Sequence, residues 1–292
     1  MCRLIDDILV FLEDSGFECN VQMRSGLDVI CTRTPDGRHE RVILPLEITS
    51  HSQEEAEAQA RIAAKAIEGS PSRPIIITED RWHSQNDMMK ARLLAHLEIF
   101  TPVYARNCEV RRIDKPTAAE FLSRTHAYGD AACKYRYGMF LKRSTGHIAK
   151  EGRCDILAGT LIAVGTFSNA RKWVKEDRTI RSYEWIRYAS LPGLRISGGM
   201  GKILNAFIEE VQPDDIMSYA DLEWSEGTVY EQLGFTLEGQ KEPVLFGIDS
   251  EWNRSPVKPG MTDPDVIAVQ TGNLFYMNFG SNKYRLKLTE YE

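Results

Sequence analysis

The chain has 292 residues, of which 42% are hydrophobic and 27% are charged, close to the composition of ordinary globular proteins. This composition excludes disordered, collagen-like and disulfide-scaffold proteins, and the length predicts two domains. The net charge of -6 is unevenly distributed, because residues 1–103 carry -6, residues 104–212 carry +8 and residues 213–292 carry -8. A basic middle segment is typical of a surface that faces nucleic acid or an anionic cofactor such as coenzyme A, although a solvated surface gives the same pattern.

The cysteine spacing and the charge of the N-terminal residues indicate the cellular compartment of the protein. Six scattered cysteines with no CxxC pair predict a reduced, intracellular protein without a zinc site. The first residues are acidic where a secretory signal is basic, and the longest apolar stretch, residues 157–167, is far too short to span a membrane. We therefore expect a soluble, cytoplasmic protein that does not bind membranes.

Residues 1–103 predict a small mixed α/β domain in the order α-β-β-α-β-α. The helices follow from apolar residues at helical spacing, and a Thr-Pro-Asp-Gly turn joins the first two strands into a hairpin. The predicted elements are a helix in 1–17, strands over Leu27–Cys31 and Val42–Ile48, a helix over Gln53–Ile67, a strand over Pro74–Thr78 and a helix over Gln85–Leu97.

Residues 104–292 predict a second α/β domain in the order β-α-β-β-β-α-β-α-β. The expected strands lie over 108–113, 135–142, 157–167, 182–189, 215–220 and 243–248, and the expected helices over 116–124, 198–211 and 227–233. A loop over 252–264 and a C-terminal hairpin over 266–288 follow, and no role is assigned to that hairpin.

A glycine-rich turn lies between a predicted strand and an amphipathic helix. Because Gly198, Gly199 and Gly201 have no Cβ, the backbone there can approach an anion and direct its N–H groups at phosphate oxygens. A tight turn without a ligand gives the same pattern. The turn therefore predicts either a pyrophosphate site or a purely structural connection.

The segment SYADLEWSEGTVYEQLGF at 218–235, together with the glycine turn and the strands before it, resembles the acetyl-CoA-binding core of the GNAT acyltransferase superfamily over about residues 104–250. The resemblance implies an α+β acyltransferase fold with a central mixed sheet, and acetyl-CoA or a related acyl-CoA as cofactor. It implies that the cofactor pyrophosphate is bound by the turn and its neighbours, namely Arg195, Gly198, Gly199, Gly201 and Lys202.

The same resemblance implies two catalytic roles. Tyr230 would protonate the leaving thiolate, and Glu184, by its position on a central strand, would act as the base. The alternatives are that Tyr230 is a core aromatic residue and that Glu184 pairs with Arg187 or Arg181 on a solvated face.

Five short segments resemble, in the same order, the C-terminal half of phage-type (Hef-like) homing endonucleases; they are Tyr104–Cys108, His126–Gly129, Ser182–Arg187, Ser197–Gly199, and Ser218–Asp221 followed by Trp224 and Ser225. This resemblance implies a PD-(D/E)XK nuclease-like domain in residues 1–103, with Asp28 and Glu47 as ligands of Mg²⁺. Thr49 stands where that class usually has lysine. The domain is therefore either a nuclease or a degenerate domain kept for DNA docking or stability.

The segment Ser218–Asp221 is also similar to the phage Mom family, GNAT-fold enzymes that modify adenine in DNA. The similarity implies a pocket lined by His126, Tyr128, Asp221 and Tyr230. His126 would take a proton from an exocyclic amine or bind iron, and a hydrogen-bonded structural histidine is the alternative.

A basic stretch with an interleaved aromatic residue predicts contact with nucleic acid, and DNA is the substrate of both similar phage families. It contains Arg171, Lys172, Trp173 and Lys175. Three functions stay open: an acyltransferase acting on nucleic acid, which we favour; a metal-dependent endonuclease whose second half only recognises DNA; and a DNA-binding protein without catalysis.

Overall fold

The computed structural model describes residues 3–70, 72–149, 152–175, 178–257 and 274–291, with the backbone alone described at 147–149 and 152–154. Within these ranges no helix is long and apolar enough to cross a membrane. The chain forms two compact units. The first comprises residues 1–98, 221–226 and 240–281, and the second comprises residues 99–220, 227–239 and 282–292.

The fold is mixed α and β, as the sequence predicts. The helices are α1 (Leu4–Asp14), α2 (Gln53–Glu68), α3 (Glu79–Ser84), α4 (Asn86–His96), α5 (Lys115–Thr125), α6 (Gly199–Val211) and α7 (Thr228–Gln232). The strands are β1 (Cys19–Arg24), β2 (Leu27–Arg33), β3 (Glu40–Leu46), β4 (Ile75–Thr78), β5 (Thr101–Tyr104), β6 (Cys108–Arg112), β7 (Tyr135–Leu141), β8 (Thr145–Ala149), β9 (Gly152–Ile156), β10 (Leu161–Phe167), β11 (Arg171–Lys175), β12 (Arg178–Ser190), β13 (Leu194–Ser197), β14 (Asp215–Asp221), β15 (Thr236–Lys241), β16 (Leu245–Ile248), β17 (Arg254–Pro256), β18 (Leu274–Met277) and β19 (Ser281–Lys287).

The first unit is built on a four-stranded sheet in the order β1-β2-β3-β4, in which β4 runs parallel to β3 and the other neighbours are antiparallel. Because successive side chains of a strand point to opposite faces, the strands contribute to two cores. One face, with Ile30 and Ile43, packs against α1 and α4. The other face, with Val42 and Leu44, packs against α2 and the sheet β17-β16-β18.

Helix α2 begins with a reciprocal cap. The side chain of Ser52 accepts a hydrogen bond from the N–H of Glu55 over 3.2 Å, and the Glu55 carboxylate accepts one from the N–H of His51 over 2.6 Å. These bonds satisfy amides that have no partner within the helix. They fix the point at which the chain leaves β3 and turns into α2.

The second unit is built on a sheet in the order β15-β19-β14-β12-β10-β7-β6, with β11 attached to β12 alone. Helix α6 covers one face, where Phe207 stacks on Phe167 with ring centroids 3.9 Å apart. Helix α5 covers part of the other face, where Phe121 and Leu122 pack against Val164. The β12 and β14 strands therefore lie in the middle of a sheet with helices on both faces.

The predicted C-terminal hairpin over 266–288 is wrong. Residues 258–273 lie outside the described residues, and the two strands that follow belong to different sheets. Strand β18 pairs with β16, whereas β19 lies between β15 and β14. Long-range strand pairing therefore overrides the local hairpin pattern.

Candidate functional site

Strands β12 and β14 are parallel neighbours that pair over a short length only. Their paired residues are Ser182 with Asp215, Tyr183 with Ile216 and Glu184 with Met217. Beyond this point the pairing ends, although β12 continues to Ser190 and β14 to Asp221. The Ser218 hydroxyl donates to the Trp185 carbonyl over 2.9 Å in place of a backbone bond. The middle of the sheet therefore opens after Glu184 and Met217.

A bulge in β12 accompanies this opening. On the side of β10, Phe167 pairs with Trp185 and Thr166 pairs with Arg187, so Ile186 is an extra residue in β12. A bulge of this kind bends its strand and increases the local twist. The Trp185 indole N–H donates to the Arg187 carbonyl across the bulge over 3.0 Å. The bend lies where β12 loses its pairing with β14.

The N-terminus of α6 presents free backbone amides. Gly198 precedes the helix with φ of 74°, a left-handed conformation that glycine adopts without strain. The first bond within the helix runs from the Lys202 N–H to the Gly198 carbonyl, so the N–H groups of residues 199–201 have no partner within the helix. A Cβ on Gly199 would lie 2.7 Å from the Tyr188 hydroxyl. Gly198 thus shapes the turn, Gly199 allows close packing, and the amides remain able to bind an anion.

Two predicted phosphate-binding side chains have different surroundings. The Lys202 ammonium donates to the carbonyls of Ala105 and Cys108 over 2.9 and 2.6 Å. These bonds attach α6 to the segment before β6, and the predicted phosphate contact of Lys202 stays a prediction. Arg195 lies on β13, and its exposed guanidinium is 5.1 Å from the centre of the Phe100 ring.

Tyr230 lies at the opening. Ser218 donates its one hydroxyl proton to Trp185, so the 2.9 Å bond between the Tyr230 and Ser218 hydroxyls is donated by Tyr230. The Tyr230 ring packs between Trp185 and Tyr284, with centroids 6.1 and 5.3 Å away. Burial is the largest influence on the pKa of Tyr230 and raises it. The phenol is therefore protonated at neutral pH and can act as a proton donor.

Glu184 lies on the opposite face of the sheet from the α6 core. Its neighbours Tyr183 and Trp185 point into that core, so strand alternation directs Glu184 to the other face. Arg187 lies on this face too, where burial lowers the pKa of its guanidinium and the nearby Glu184 opposes that change. Neither residue forms an ion pair with the other. The Arg187 Nη1 donates to the Ile186 carbonyl over 3.0 Å.

The loop after α5 completes this face. The Arg187 Nε donates to the Gly129 carbonyl over 3.2 Å, and the guanidinium lies 5.9 Å from the centre of the Tyr128 ring. His126 Nδ1 accepts a hydrogen bond from the Tyr128 N–H over 3.1 Å, which leaves the proton of the neutral imidazole on Nε2. We call His126, Tyr128, Asp130, Glu184 and Arg187 the acceptor-side cluster.

Two polar atoms of this region are buried without an oxygen or nitrogen partner. They are Asp130 Oδ1 and Thr166 Oγ1; Thr166 is the strand partner of Arg187, and its hydroxyl interacts with the Cys133 thiol. Buried polar groups normally form hydrogen bonds, so unsatisfied ones are expected where a ligand binds. The sequence does not single out Arg187, Asp130 or Thr166 as functional, because their proximity depends on the register of three strands and a loop.

Asp221 belongs to the first unit. Its Oδ1 accepts a hydrogen bond from the Glu223 N–H over 2.9 Å, and its Oδ2 lies 3.9 Å from the Arg81 guanidinium. The resemblance implies a pocket that Asp221 shares with Tyr230 and His126, and that role stays a prediction. Asp221 is part of a buried ionic network of the first unit.

That network is a feature that the sequence does not reveal. Arg254 binds both oxygens of Glu223 over 3.1 and 3.0 Å and also binds Asp80. Burial opposes the charge of Glu223, but Arg254 and Arg81 outweigh it and lower the pKa of that carboxyl. The network fixes residues 221–226 in the first unit.

The predicted magnesium ligands do not assemble. Asp28 faces Arg3 at 3.4 Å, and Glu47 follows the end of β3. In the part of the chain that the structure describes, no group of three or more His, Cys, Asp or Glu side chains could hold a metal ion. The residues present do not fit Mg²⁺, and the expected metal centre has no structural support.

The predicted nucleic-acid residues Arg171, Lys172, Trp173 and Lys175 share one strand, β11. This strand pairs with the first part of β12 and with no other described strand.

Comparison with known proteins gives distant structural similarity only. No protein-family model and no curated protein matches the chain. The chain is similar to yncA from Salmonella typhimurium in complex with acetyl-CoA, at 14% identity and a TM-score of 0.34, over 63% of this chain and 96% of that one. It is similar to a GNAT-family acetyltransferase from Bacillus anthracis, at 13% identity and a TM-score of 0.32, over 62% and 95% of the two chains. It is also similar to an N-acetyltransferase from Staphylococcus aureus, at 10% identity and a TM-score of 0.33, over 62% and 97%.

Proposed function

We propose that the second unit is an acyl-CoA-dependent N-acyltransferase. The observation that carries the proposal is the end of pairing between β12 and β14 at Glu184 and Met217, next to the Tyr230 hydroxyl. An opening in a central sheet lets two reactants meet from opposite faces. The acyl donor would approach on the α6 side, and the amine on the side of the acceptor-side cluster.

The residues at the N-terminus of α6 fit a pyrophosphate. The free amides of residues 199–201 form a helix N-terminus that favours anions, and Gly198 presents no side chain in front of it. The exposed Arg195 would add a charged donor from β13. When bound, an acyl-CoA supplies a thioester whose carbonyl carbon can be attacked by an amine.

Two side chains of the chain would move the protons. The C–N bond forms as the C–S bond breaks, so the amine must lose a proton and the sulfur must gain one. Glu184, on the acceptor face without an ion pair, would take the proton of the amine. Tyr230, whose pKa is raised by burial, would donate its proton to the sulfur. The two groups lie on opposite faces of the sheet, as a reaction across the opening requires.

We propose the amino group of a nucleobase as the acceptor. The acceptor-side cluster offers hydrogen-bond donors on Arg187 and acceptors on Asp130 and Glu184, next to the partly exposed ring of Tyr128. A planar heteroaromatic amine suits this combination, because it can stack on the ring and form hydrogen bonds along its edge. Transfer of labelled acetyl groups to single-stranded oligonucleotides, with spermidine and a lysine peptide as alternative acceptors, tests this assignment. Labelling of the amines alone would contradict it.

The cofactor claim is tested by thermal shift and calorimetry with acetyl-CoA. A ligand that binds only the folded state raises its stability by RT ln(1 + [L]/Kd), so about 1 mM acetyl-CoA should raise the Tm. Ser197→Glu places a negative charge at the N-terminus of α6, and we expect it to weaken acetyl-CoA binding at least about tenfold without lowering the Tm of the free protein.

The matched control is Ser197→Gln, which has the same size and no charge and should bind normally. S-acetylpantetheine lacks the pyrophosphate and should bind far more weakly than acetyl-CoA. Absence of any shift with acetyl-CoA would refute the proposal. Equal binding to the Glu and Gln variants would refute the placement of the phosphates at α6.

A further inference from the structure

Strands β5 and β13 form a two-stranded parallel pair that ends at the first turn of α6. The last residues paired in the register are Tyr104 and Ser197, and Gly198 follows directly. A Cβ on Gly198 would lie 3.6 Å from the Cβ of Ala105, the residue after β5. The C-terminal end of β5 therefore lies beside the free amides at the N-terminus of α6.

The two faces of this strand pair differ in exposure. Val103 of β5 and Leu194 of β13 are buried in the core that α6 covers. Because side chains alternate along a strand, Tyr104, Arg195 and Ser197 point to the opposite face. Tyr104 is 50% exposed there, and its backbone is one strand spacing, about 4.8 Å, from that of Ser197. An accessible aromatic ring is thus held next to the glycine turn.

Two arginines lie against aromatic rings on this exposed face. The guanidinium carbon of Arg106 is 4.9 Å from the centre of the Tyr104 ring, and that of Arg195 is 5.1 Å from the centre of the Phe100 ring. Neither arginine forms an ion pair with an acidic side chain in the ranges that the structure describes. Residues 100–106 and 194–202 contain three cations and no acidic residue. We call Tyr104, Arg106 and Arg195 the β5–β13 face.

We infer that the β5–β13 face binds the adenosine 3′-phosphate end of the acyl donor, so that the donor is a free CoA thioester and not a thioester on a carrier protein. The inference rests on the proposed function, which places the pyrophosphate of CoA at the N-terminus of α6. In CoA the ribose, its 3′-phosphate and the adenine follow the pyrophosphate directly. The phosphopantetheine of a carrier protein has none of these three groups.

The side chains of the β5–β13 face suit these groups. The contact between Arg106 and Tyr104 lies at an exposed site, where cation–π interactions are weak. The guanidinium of Arg106 can therefore turn to the 3′-phosphate, with which it forms charge-assisted hydrogen bonds. The adenine would stack on the side of the Tyr104 ring that the guanidinium leaves. Arg195, from the neighbouring strand, would contact the pyrophosphate.

The experiment compares the binding of three acetyl thioesters by calorimetry. Acetyl-CoA contains the whole nucleotide, acetyl-dephospho-CoA lacks the 3′-phosphate, and S-acetyl-4′-phosphopantetheine lacks the adenosine as well. The unmodified protein should bind acetyl-CoA at least about tenfold more tightly than acetyl-dephospho-CoA, because hydrogen bonds between charged groups are lost with the 3′-phosphate. S-acetyl-4′-phosphopantetheine should bind most weakly of the three.

Substitutions on the β5–β13 face assign the two contacts. Arg106→Gln should weaken binding of acetyl-CoA at least about tenfold and leave acetyl-dephospho-CoA nearly unchanged, so that the two thioesters bind alike. Tyr104→Ala should weaken binding of both at least about fivefold, because the stacking of one base is lost, whereas Tyr104→Phe keeps the ring and should bind normally. Arg124→Gln removes an exposed arginine of α5, paired with Glu120, and should change none of these affinities.

Failure of this inference differs from failure of the proposed function. No binding of acetyl-CoA to the unmodified protein would overturn both. Binding of acetyl-CoA with the same affinity as acetyl-dephospho-CoA or S-acetyl-4′-phosphopantetheine would overturn the inference and leave the proposed acyl-CoA site at α6. Because Tyr104 and Arg106 are exposed, their variants should have the Tm of the unmodified protein, so weaker binding would not reflect unfolding.

Discussion

The Tyr230 hydroxyl donates to Ser218 over 2.9 Å, and Ser218 is the first residue of β14 beyond the pairing with β12. The proton donor of the proposed reaction is therefore attached to the residue at which the sheet opens. Because Ser218 also bridges to the Trp185 carbonyl, three residues fix the phenol at the edge of the opening. The position of the hydroxyl depends on strand geometry and not on α7 alone.

Tyr230→Phe should lower acyl transfer by about 10²–10⁴-fold, the usual contribution of a positioned general acid. The ring contacts with Trp185 and Tyr284 are retained, so the loss of one hydrogen bond should cost only about 0.5–1.5 kcal/mol of stability. Release of the CoA thiol, followed with a thiol reagent in the presence of an amine acceptor, measures the rate. Urea unfolding measures the stability.

The pH profile separates a chemical role of Tyr230 from a structural one. Since burial raises its pKa, the phenol stays protonated through neutral and mildly alkaline pH, and it should cause no loss of rate below about pH 10. A rate for Tyr230→Phe equal to that of the unmodified protein would exclude the tyrosine as the acid.

Local sequence patterns predict much of the secondary structure. Apolar spacing is sufficient for α1, whose buried residues include Leu4, Ile8 and Leu12, and for the pairing of β2 with β3. The edge strand β1 is not among the predicted strands, although Cys19, Val21 and Met23 alternate with polar residues, and its four central residues are all exposed. Residues 221–226 and 240–281 belong to the first unit through long-range contacts, which local patterns do not encode.

The candidate site was predictable only in part. The glycines and Tyr230 are marked by residue type and by the resemblance, but the opening of the sheet depends on where pairing stops after Glu184 and Met217. Lys202 has the charge expected of a phosphate ligand, and the sequence does not show that its ammonium donates to two backbone carbonyls. The partners of a side chain on neighbouring strands depend on the tertiary structure, and a single sequence does not predict them.

Arg254→Met should destabilise the first unit strongly. The substitution leaves Glu223 and Asp80, which are 3% and 0% exposed, without their shared cation. Removal of one partner from a buried ion pair costs about 3–5 kcal/mol, because the remaining charge stays desolvated. Urea unfolding measures this cost.

Its matched variant is the double substitution Arg254→Met/Glu223→Gln. Removing both charges should recover part of the lost stability. The single variant should also lose part of its deficit as the pH falls, because protonation of Glu223 removes a buried negative charge that only Arg81 then neutralises. A deficit below about 1 kcal/mol at neutral pH would show that the network does not stabilise the unit.

Gly227→Ala should destabilise the second unit more than Gly159→Ala does. Both glycines have positive φ, 90° and 82°, so each alanine carries backbone strain of about 1–2 kcal/mol. At Gly227 the added Cβ would also lie 2.7 Å from the Tyr284 hydroxyl, whereas at Gly159 it would meet no atom within 4 Å. We expect a total of about 2–5 kcal/mol for Gly227→Ala by urea unfolding. Equal losses would mean that Tyr284 moves aside without cost.

Glu79 should make the first unit less stable as the pH rises. Burial raises the pKa of its carboxyl above the ordinary 4.5, the bond from the Ile48 N–H opposes this, and the nearby Glu47 adds to it. From about pH 4.5 to the folded-state pKa, the folded protein keeps a proton that the unfolded chain has lost. Stability therefore falls as pH rises through this window.

Glu79→Gln keeps an oxygen that can accept the 2.7 Å hydrogen bond from the Ile48 N–H and removes the buried charge. Its stability relative to the unmodified protein should increase from pH 4 to pH 7, as measured by urea unfolding at several pH values. Glu47→Gln removes the neighbouring charge and should reduce the same pH dependence without abolishing it. Parallel pH curves for the unmodified protein and Glu79→Gln would show that the carboxyl of Glu79 ionises as freely in the folded state as in the unfolded chain.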